Sequence, residues 1–559
     1  MLSLRIPLIA SCLTALAATQ TFTHAAVELD ANGWTVITPS HDSRIVYVSS
    51  SEGDNANDGL SPSTPKKTIA SGDSLIRDGY PDHLLLKRGD TFTPTAATAL
   101  GRWKNGRGPD EPIVCSYYGD EGPRPIIKIK DRFINHDGHP RHFQAFIGLD
   151  IYKSNSDPDS PDFDNSSCVE TLRFIGSGAY IRLEDCRVRF GMVTIQSYAG
   201  VYAYPEVRRN IITDAWANGS YYSHSAEGRI QGIYISGVDS GYLLEENFID
   251  HCGWSATVMG AGANKYNHNV YIQYDNVEGG IIRGNIISRG AAHGIQARSG
   301  GHIDRNLFIL NAVSLNVGGH KVATKPAVLS YDNRAKENVV LTGRLMDPNN
   351  SQEPRSAAVW GIDANVLLPG TDVHDNIIAN RQDDGVNTAF LGNGNLSNNV
   401  TYNWDKDTDT FDPSWPHPGH HAGHYFASIG GGSNRTLDYL EWLRERPLRS
   451  LPWEMTAYSA INYIREGFNK APVDGYFEYG EAVEPVDPEK PEITFDFNHQ
   501  DSPPTLSILW QSQANVQYDL QKAEDLSAWD TVSTKQGNGD EMSFEQLNLA
   551  TFYRLKAYP

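Results

Sequence analysis

Cysteine is scarce in this chain, with five residues in 559. So few cannot build a disulfide scaffold, and Cys115, Cys168, Cys186 and Cys252 do not stand at zinc-ligand spacing. Cys12, the fifth, ends Ile9-Ala10-Ser11-Cys12, which has the form of a lipoprotein box with too little apolar chain before it. Long apolar runs are missing as well. Past residue 25 nothing approaches the ~18 consecutive apolar residues of a membrane helix, so no membrane span is expected. Positive charge is short: 47 Lys and Arg face 68 Asp and Glu, a formal net charge of −21. That balance argues against nucleic acid as a partner. It leaves room for an anionic ligand, because a local basic cleft can sit in an acidic shell. Phosphate-cradling glycine motifs, a serine-hydrolase elbow and HExxH are all lacking, and no cofactor is expected.

The first 25 residues read as a secretory signal: Arg5 supplies the positive end, a mostly apolar stretch runs from Ile6 to Ala18, and Thr23-His24-Ala25 offers a cut. The expectation is an exported monomer, secreted or periplasmic.

The chain does have a repeat. Asn followed by two β-favouring apolar or Thr residues occurs at Asn210, Asn247, Asn285, Asn306, Asn338, Asn376 and Asn399. The steps are 37, 38, 21, 32, 38 and 23 residues. The short steps read as a bare unit and the long ones as that unit carrying an inserted loop. A βαβ crossover needs about 30 residues or more, whereas a parallel β-solenoid coil needs fewer. Asn tolerates the left-handed turn conformation and can bond nearby backbone, so stacked turns would form an internal Asn ladder. Cys186 stands 24 residues before Asn210, at the ladder position one coil earlier, and reads as a buried structural thiol.

Ahead of the repeats, Ile45 to Val48 reads as a strand, Thr68 as the cap of a helix through Arg77, and Asp82 to Lys87 as a strand. "YVSSSEGDNANDGLSPSTPKKTIASGDSLI" followed by "LLLKRGDTF" resembles the N-terminal capping turn of secreted right-handed parallel β-helix carbohydrate-active proteins. With the Asn repeats, the resemblance covers about Ile45 to Tyr402. It implies an all-β, right-handed parallel β-helix and a polysaccharide substrate. Polysaccharide lyases and glycoside hydrolases share the architecture, and no complete catalytic motif of either kind is present. The expected organisation is a cap over 26–81, a β-helix over 82–402, a helical segment over 403–478 packing on the solenoid, a Pro- and acid-rich linker over 479–492, and a β-sandwich-like module over 493–559. In that module Trp510, Trp529 and Tyr553 read either as core or as a sugar-stacking platform.

Aligning coils on the ladder brings four strands into register, at 233–236, 270–273, 295–298 and 315–318. Alternation turns Ile233, Ile235, Val270, Ile272, Ile295, Ala297, Leu315 and Val317 inward. The outward columns are Tyr234, Tyr271, Gln296, Asn316 and then Ser236, Gln273, Arg298, Gly318. His268 and His293 open their strands at matching positions. Between Asn306 and Asn338 lies "HKVATKPAVLSYDNRAK", with His320, Lys321, Lys325, Arg334 and Lys336 against Asp332.

Two reactions fit such a patch. A lyase needs a cation to neutralise a uronate carboxylate and a base for the adjacent proton. Arg298 would be the neutraliser, His268 or His293 the base and Tyr271 the acid or base. Tyr234, Gln273, Gln296, Asn316 and Lys321 would bind substrate. A glycosidase needs two carboxylates about 5–9.5 Å apart, and the outward positions have none. Glu227, Asp239, Asp275 and Glu278 lie nearby but off the strands, Asp363, Asp383 and Asp384 lie further down the solenoid, and a hydrolase could still draw carboxylates from strand ends and loops. A non-catalytic glycan-binding protein is the third reading. Calcium is considered at Asp405 to Asp409, which starts like a calcium loop but lacks Gly at the sixth place and Glu at the twelfth, and at the acidic run 156–165.

Overall fold

The computed structural model describes residues 28–477 and 479, except 199, 219–228, 278, 319–332, 347–357, 365–369, 382–385 and 406; beyond residue 493 it describes the strands. The chain divides into two units, 1–478 and 479–559.

Three parallel sheets wrap the first unit into a right-handed parallel β-helix. Among the described residues the first sheet has 13 strands, from Ile45–Val48 to Asn395–Ser397. The second has 11, from Thr91–Phe92 to Val400–Tyr402. The third has nine, from Ile134–Asn135 to Val386–Gly392. Ile45–Val48 pairs with His83–Lys87, so the strand expected in the cap is the first rung of the sheet. Helix α1 (Ile69–Asp73) lies against it. Gly72 is needed there, because a Cβ would meet Val48 Cγ2 and Leu84 Cδ1. Thr68 caps α1 by accepting from Ser71 N at 3.2 Å. The helix stops at Asp73 and does not reach Arg77. Asp82 accepts from the Arg77 backbone N–H and guanidinium at 2.9 and 2.6 Å, which draws the chain out of helical register.

The seven asparagines form one continuous ladder at the corner between the first and second sheets. Asn247 Oδ1 accepts from the Asn210 side chain and backbone N at 3.0 Å each. Asn285, Asn306, Asn338, Asn376 and Asn399 repeat the pattern at 2.9–3.0 Å. Cys186 N donates to Asn210 Oδ1 at 2.8 Å, which puts the buried Cys186 on the rung before it. Burial pushes its thiol up to about 12. The ladder residue is not, however, the left-handed one. The residue before it takes the positive φ: Arg209 (54°), Glu246 (53°), Gly284 (64°), Arg305 (55°), Glu337 (56°), Asp375 (58°) and Asn398 (53°). The Asn keeps ordinary backbone because its task is to bond the neighbouring coils.

The two residues after each Asn divide between two cores. Ile212, Ile249, Ile287, Phe308, Val340 and Ile378 point into the solenoid. Their predecessors, including Phe248, Ile286 and Leu307, face out of the second sheet yet are buried. Part of their cover is a helical segment formed by α2 (Ala422–Ser428), α3 (Thr436–Arg444) and α4 (Ala457–Gly467). Leu443, Leu451, Met455 and Ala457 line one small cavity together with Phe248 and Ile286. Arg444, the last residue of α3, fixes the cover by donating to Asp214 at 2.9 Å and Asp250 at 2.9 Å. The segment thus lies along the side of the solenoid.

In the second unit, Thr494–Asn498, Thr505–Gln511 and Glu541–Asn548 form one three-stranded antiparallel sheet. Gln517–Ala523, Asp530–Gln536 and Phe552–Tyr558 form another. Trp510 and Tyr553 lie on these strands, and Trp529 lies outside the described residues.

Candidate active site

The outward row of the third sheet carries the candidate site. Tyr234, Tyr271, Gln296, Asn316 and Asp363 are direct lateral partners on successive coils. All eight residues expected inward are at most 1% exposed, so the alternation read for these strands holds from Ile233, Val270, Ile295 and Leu315 onward.

Alternation breaks at the strand entrances. Asn269 turns its side chain in, accepting from Cys252 N at 3.0 Å and donating to Ser288 O at 2.7 Å. Val270, next to it, is also in the core. Gly294 repeats the arrangement one coil on, where a Cβ would meet Phe308 and the Asn311 amide. Two inward residues in succession bring His268 onto the face of Tyr271, three residues later. Their ring centroids are 5.1 Å apart, and those of His268 and His293 are 4.7 Å apart.

His268 Nδ1 and His293 Nδ1 are 3.1 Å apart, and the residues are 2% and 1% exposed. A hydrogen bond between two imidazoles needs one donor and one acceptor, so the pair shares one proton at this contact. The backbone N of His268 donates to Gln231 Oε1 at 2.6 Å, which fixes the strand entrance.

Arg298 gathers the partly exposed members of the face. One of its guanidinium nitrogens donates to Tyr271 Oη at 2.8 Å and to Gln273 Oε1 at 3.0 Å. Tyr271 Oη donates to Gln273 Oε1 at 3.1 Å. The Arg298 guanidinium lies 5.0 Å from the Tyr274 ring centre. The Tyr234 ring stands 5.5 Å from that of Tyr271, and burial raises the Tyr234 pKa. Asn316 donates to Asp363 Oδ2 at 2.8 Å.

Of the residues expected at the site, His268, Tyr271, His293, Arg298 and Gln273 are brought together. Tyr234, Gln296 and Asn316 line the same row. Lys321 lies outside the described residues, as do Glu227, Glu278, Asp383 and Asp384. The basic segment is divided. Arg334 belongs to the first sheet and pairs with Asp304 at 2.5 Å, and Lys336 faces Glu337 at 3.6 Å. Asp239 accepts from Tyr202 N at 2.7 Å, and Asp275 accepts from Ser236 Oγ and Gly237 N at 3.0 and 3.1 Å. Asp363 was read as lying further down the solenoid, but it belongs to the row itself. Ile362-Asp363-Ala364 has the apolar–polar–small pattern of Ile295-Gln296-Ala297, which is the signal that places it there.

Carboxylates of the candidate calcium segments are engaged by protein donors. Asp409 accepts from Trp404 N at 2.9 Å and Asp405 from Asp407 N at 3.0 Å. Asp157 accepts from Tyr152 Oη at 2.5 Å and Asp162 pairs with Lys128 at 2.8 Å. Among the described residues no three His, Cys, Asp or Glu side chains are grouped as a metal would require. Among them, too, no helix is long and apolar enough to cross a membrane.

No protein-family model matches the chain, and no curated protein matches it. Solved structures similar in fold include the following two. One is a GH136 lacto-N-biosidase from Eubacterium ramulus, at 15% identity and a TM-score of 0.29, over 64% of this chain and 56% of that one. The other is pectate lyase Pel9A, at 12% identity and a TM-score of 0.34, over 80% of this chain and 91% of that one. The chain therefore spans little more than half the length of the first.

Proposed function

We propose that this protein is an exported polysaccharide lyase acting on an acidic, uronate-containing chain. The observation that carries the reading is the Arg298 guanidinium bonded at once to Tyr271 Oη and Gln273 Oε1 on an outward, partly exposed face. β-Elimination removes the proton α to the uronate carboxylate and expels the oxygen at the β carbon, leaving a C=C bond and a new hydroxyl end. Arg298 would hold the carboxylate and stabilise the charge that develops on it. Tyr271, ionised beside the Arg298 guanidinium, would take the α proton and return it to the expelled oxygen as that bond breaks, which regenerates the phenolate. The His268–His293 pair lies too deep for direct contact in this structure, and it would hold the Tyr271 ring in place from behind. Gln273, Gln296 and Tyr234 would orient the sugar.

A two-carboxylate hydrolase is less well supported. Asp363 is three coils from Tyr271, roughly 14 Å at one strand spacing per coil, and Asp275 lies beyond Tyr271 on the latter's coil. That exceeds the ~9.5 Å upper separation for a catalytic pair. Incubation with uronate and sulfated polysaccharides separates the readings. New absorbance near 235 nm, from the conjugated uronate, is the expected result. Reducing ends without absorbance would replace the lyase by a hydrolase, and binding without product would leave a glycan-binding protein.

A further inference from the structure

We infer that Tyr198 and Gln196 form a distal sugar subsite, where a pyranose three units beyond the one held at Arg298 stacks on the Tyr198 ring. The inference rests on the lyase reading for the acidic sugar at Arg298. Gln196 ends the third-sheet strand Val193–Gln196 and pairs with Ser236 on the next coil. The pairs Ile235–Ile272 and Ile272–Ala297 then place Gln273 and Arg298 on the two coils that follow. Gln196, Ser236, Gln273 and Arg298 thus form one outward column. Its ends are three coils apart, roughly 14 Å at one strand spacing per coil. A hexose lengthens a polysaccharide by about one such spacing, so a chain laid along the column brings its third further sugar to Gln196. Ser236, on the way, is small and turns its hydroxyl to Asp275 at 3.0 Å.

Tyr198, two residues past Gln196, supplies the second observation. It is 70% exposed, whereas Tyr234, Tyr271 and Tyr274 on the same face are only partly exposed. Among the described residues its ring meets no other ring and its hydroxyl bonds no other group. The turn beneath it is nevertheless fastened to the next coil. Ser197 N donates to Ser236 O at 3.0 Å, and Ser197 Oγ donates to Gly200 O at 2.9 Å. Gly237 sits so close below that a Cβ there would meet Ser197 O, and its φ is 66°. The fold therefore fixes the base of a ring that packs on nothing. A pyranose has a C–H face that suits an aromatic ring and ring hydroxyls at its rim. The partly exposed Gln196 amide offers a donor and an acceptor to those hydroxyls.

The test compares the full chain with Tyr198→Ala, Tyr198→Trp and Gln196→Ala. The probes are oligosaccharides of two and of six sugars from polygalacturonate, alginate and hyaluronan. Binding is measured apart from absorbance at 235 nm. For at least one of the three polymers the wild type should bind the six-sugar form about tenfold or more tighter than the two-sugar form. Tyr198→Ala should erase most of that gain at an unchanged urea midpoint, Gln196→Ala should erase part of it, and Tyr198→Trp should keep it. Equal binding of short and long forms, a gain unchanged in Tyr198→Ala, or a gain lost as fully in Tyr198→Trp would overturn the inference and leave the lyase reading standing if absorbance still rises. A Tyr198-dependent gain without absorbance would uphold the subsite and sink the lyase. No binding to any of the probes would overturn both.

Discussion

The corner between the first two sheets and the outward row of the third sheet are built on opposite rules. The corner repeats one residue, Asn, on seven coils, because each coil presents the same backbone groups to the next. The row holds no such repeat: after the neighbouring Tyr234 and Tyr271 it changes at each step, to Gln296, Asn316 and Asp363. A demand set by the fold recurs with the fold's period, whereas a demand set by a ligand follows the ligand. The corner is also shielded. Glu184, Arg208 and Glu245 are at most 1% exposed, with Arg208 bonding the two carboxylates at 2.9 and 2.8 Å.

If the corner carries the stability, breaking it should unfold the protein without touching specificity. Arg208→Met leaves two buried carboxylates short of a partner and should cost about 3–5 kcal/mol, read by urea unfolding. Asn285→Ala removes acceptors for Asn247 and donors to Leu244 O and Asn306, and should cost on the order of 3 kcal/mol by the same measurement.

Acid should dissect the stability further. Burial pushes His83 and His136 down to about 4 and about 3. The unfolded chain then binds more protons below its ordinary His value of 6.5, so this contribution is complete above pH 6.5 and is lost as pH falls toward 4 and 3. Glu245 follows at lower pH. Burial opposes its ionisation, but Arg208 and Arg283 outweigh burial and hold it at about 2. Its contribution is present above pH 4.5 and is lost as pH falls toward 2. Urea midpoints recorded from pH 7 to pH 3 should decline throughout, and His136→Gln should flatten the upper part of the curve.

The opposite perturbation sharpens the contrast. Tyr271→Phe should lower turnover on the order of a hundredfold, about 2.7 kcal/mol in barrier, while leaving the urea midpoint in place. The smallest effect belongs to the helical cover. Thr456 caps α4 by accepting from Ser459 N at 3.2 Å, and Thr456→Ala should cost about 1 kcal/mol with no change in turnover.

The ladder was legible because its Asn spacing survives every insertion, and so was the inward set of the third sheet. The helices Thr436–Arg444 and Ala457–Gly467 fall within the stretch read as helical over 403–478. Other features were not. The residue before each Asn takes the left-handed backbone, and Arg209, Glu246, Gly284 and Asp375 share no side chain that would announce it. The double inward step at Asn269-Val270 violates strict alternation, so the place of His268 beside Tyr271 rests on packing at the corner. Asp363 stands apart in the sequence because the 38-residue step from Asn338 to Asn376 obscures its coil, although the pattern of Ile362-Asp363-Ala364 is that of the row. The second apolar residue of each repeat has an evident core, while the first has one only because α3 and α4 return from far along the chain.

The central claim is that the third-sheet face works on a uronate carboxylate held by Arg298. The direct measurement is absorbance at 235 nm during digestion of uronate polysaccharides by the wild type and Arg298→Ala, with urea midpoints recorded for both. The account predicts a wild-type signal that falls about a hundredfold or more in Arg298→Ala at an unchanged midpoint. A wild-type signal that Arg298→Ala retains in full would contradict it.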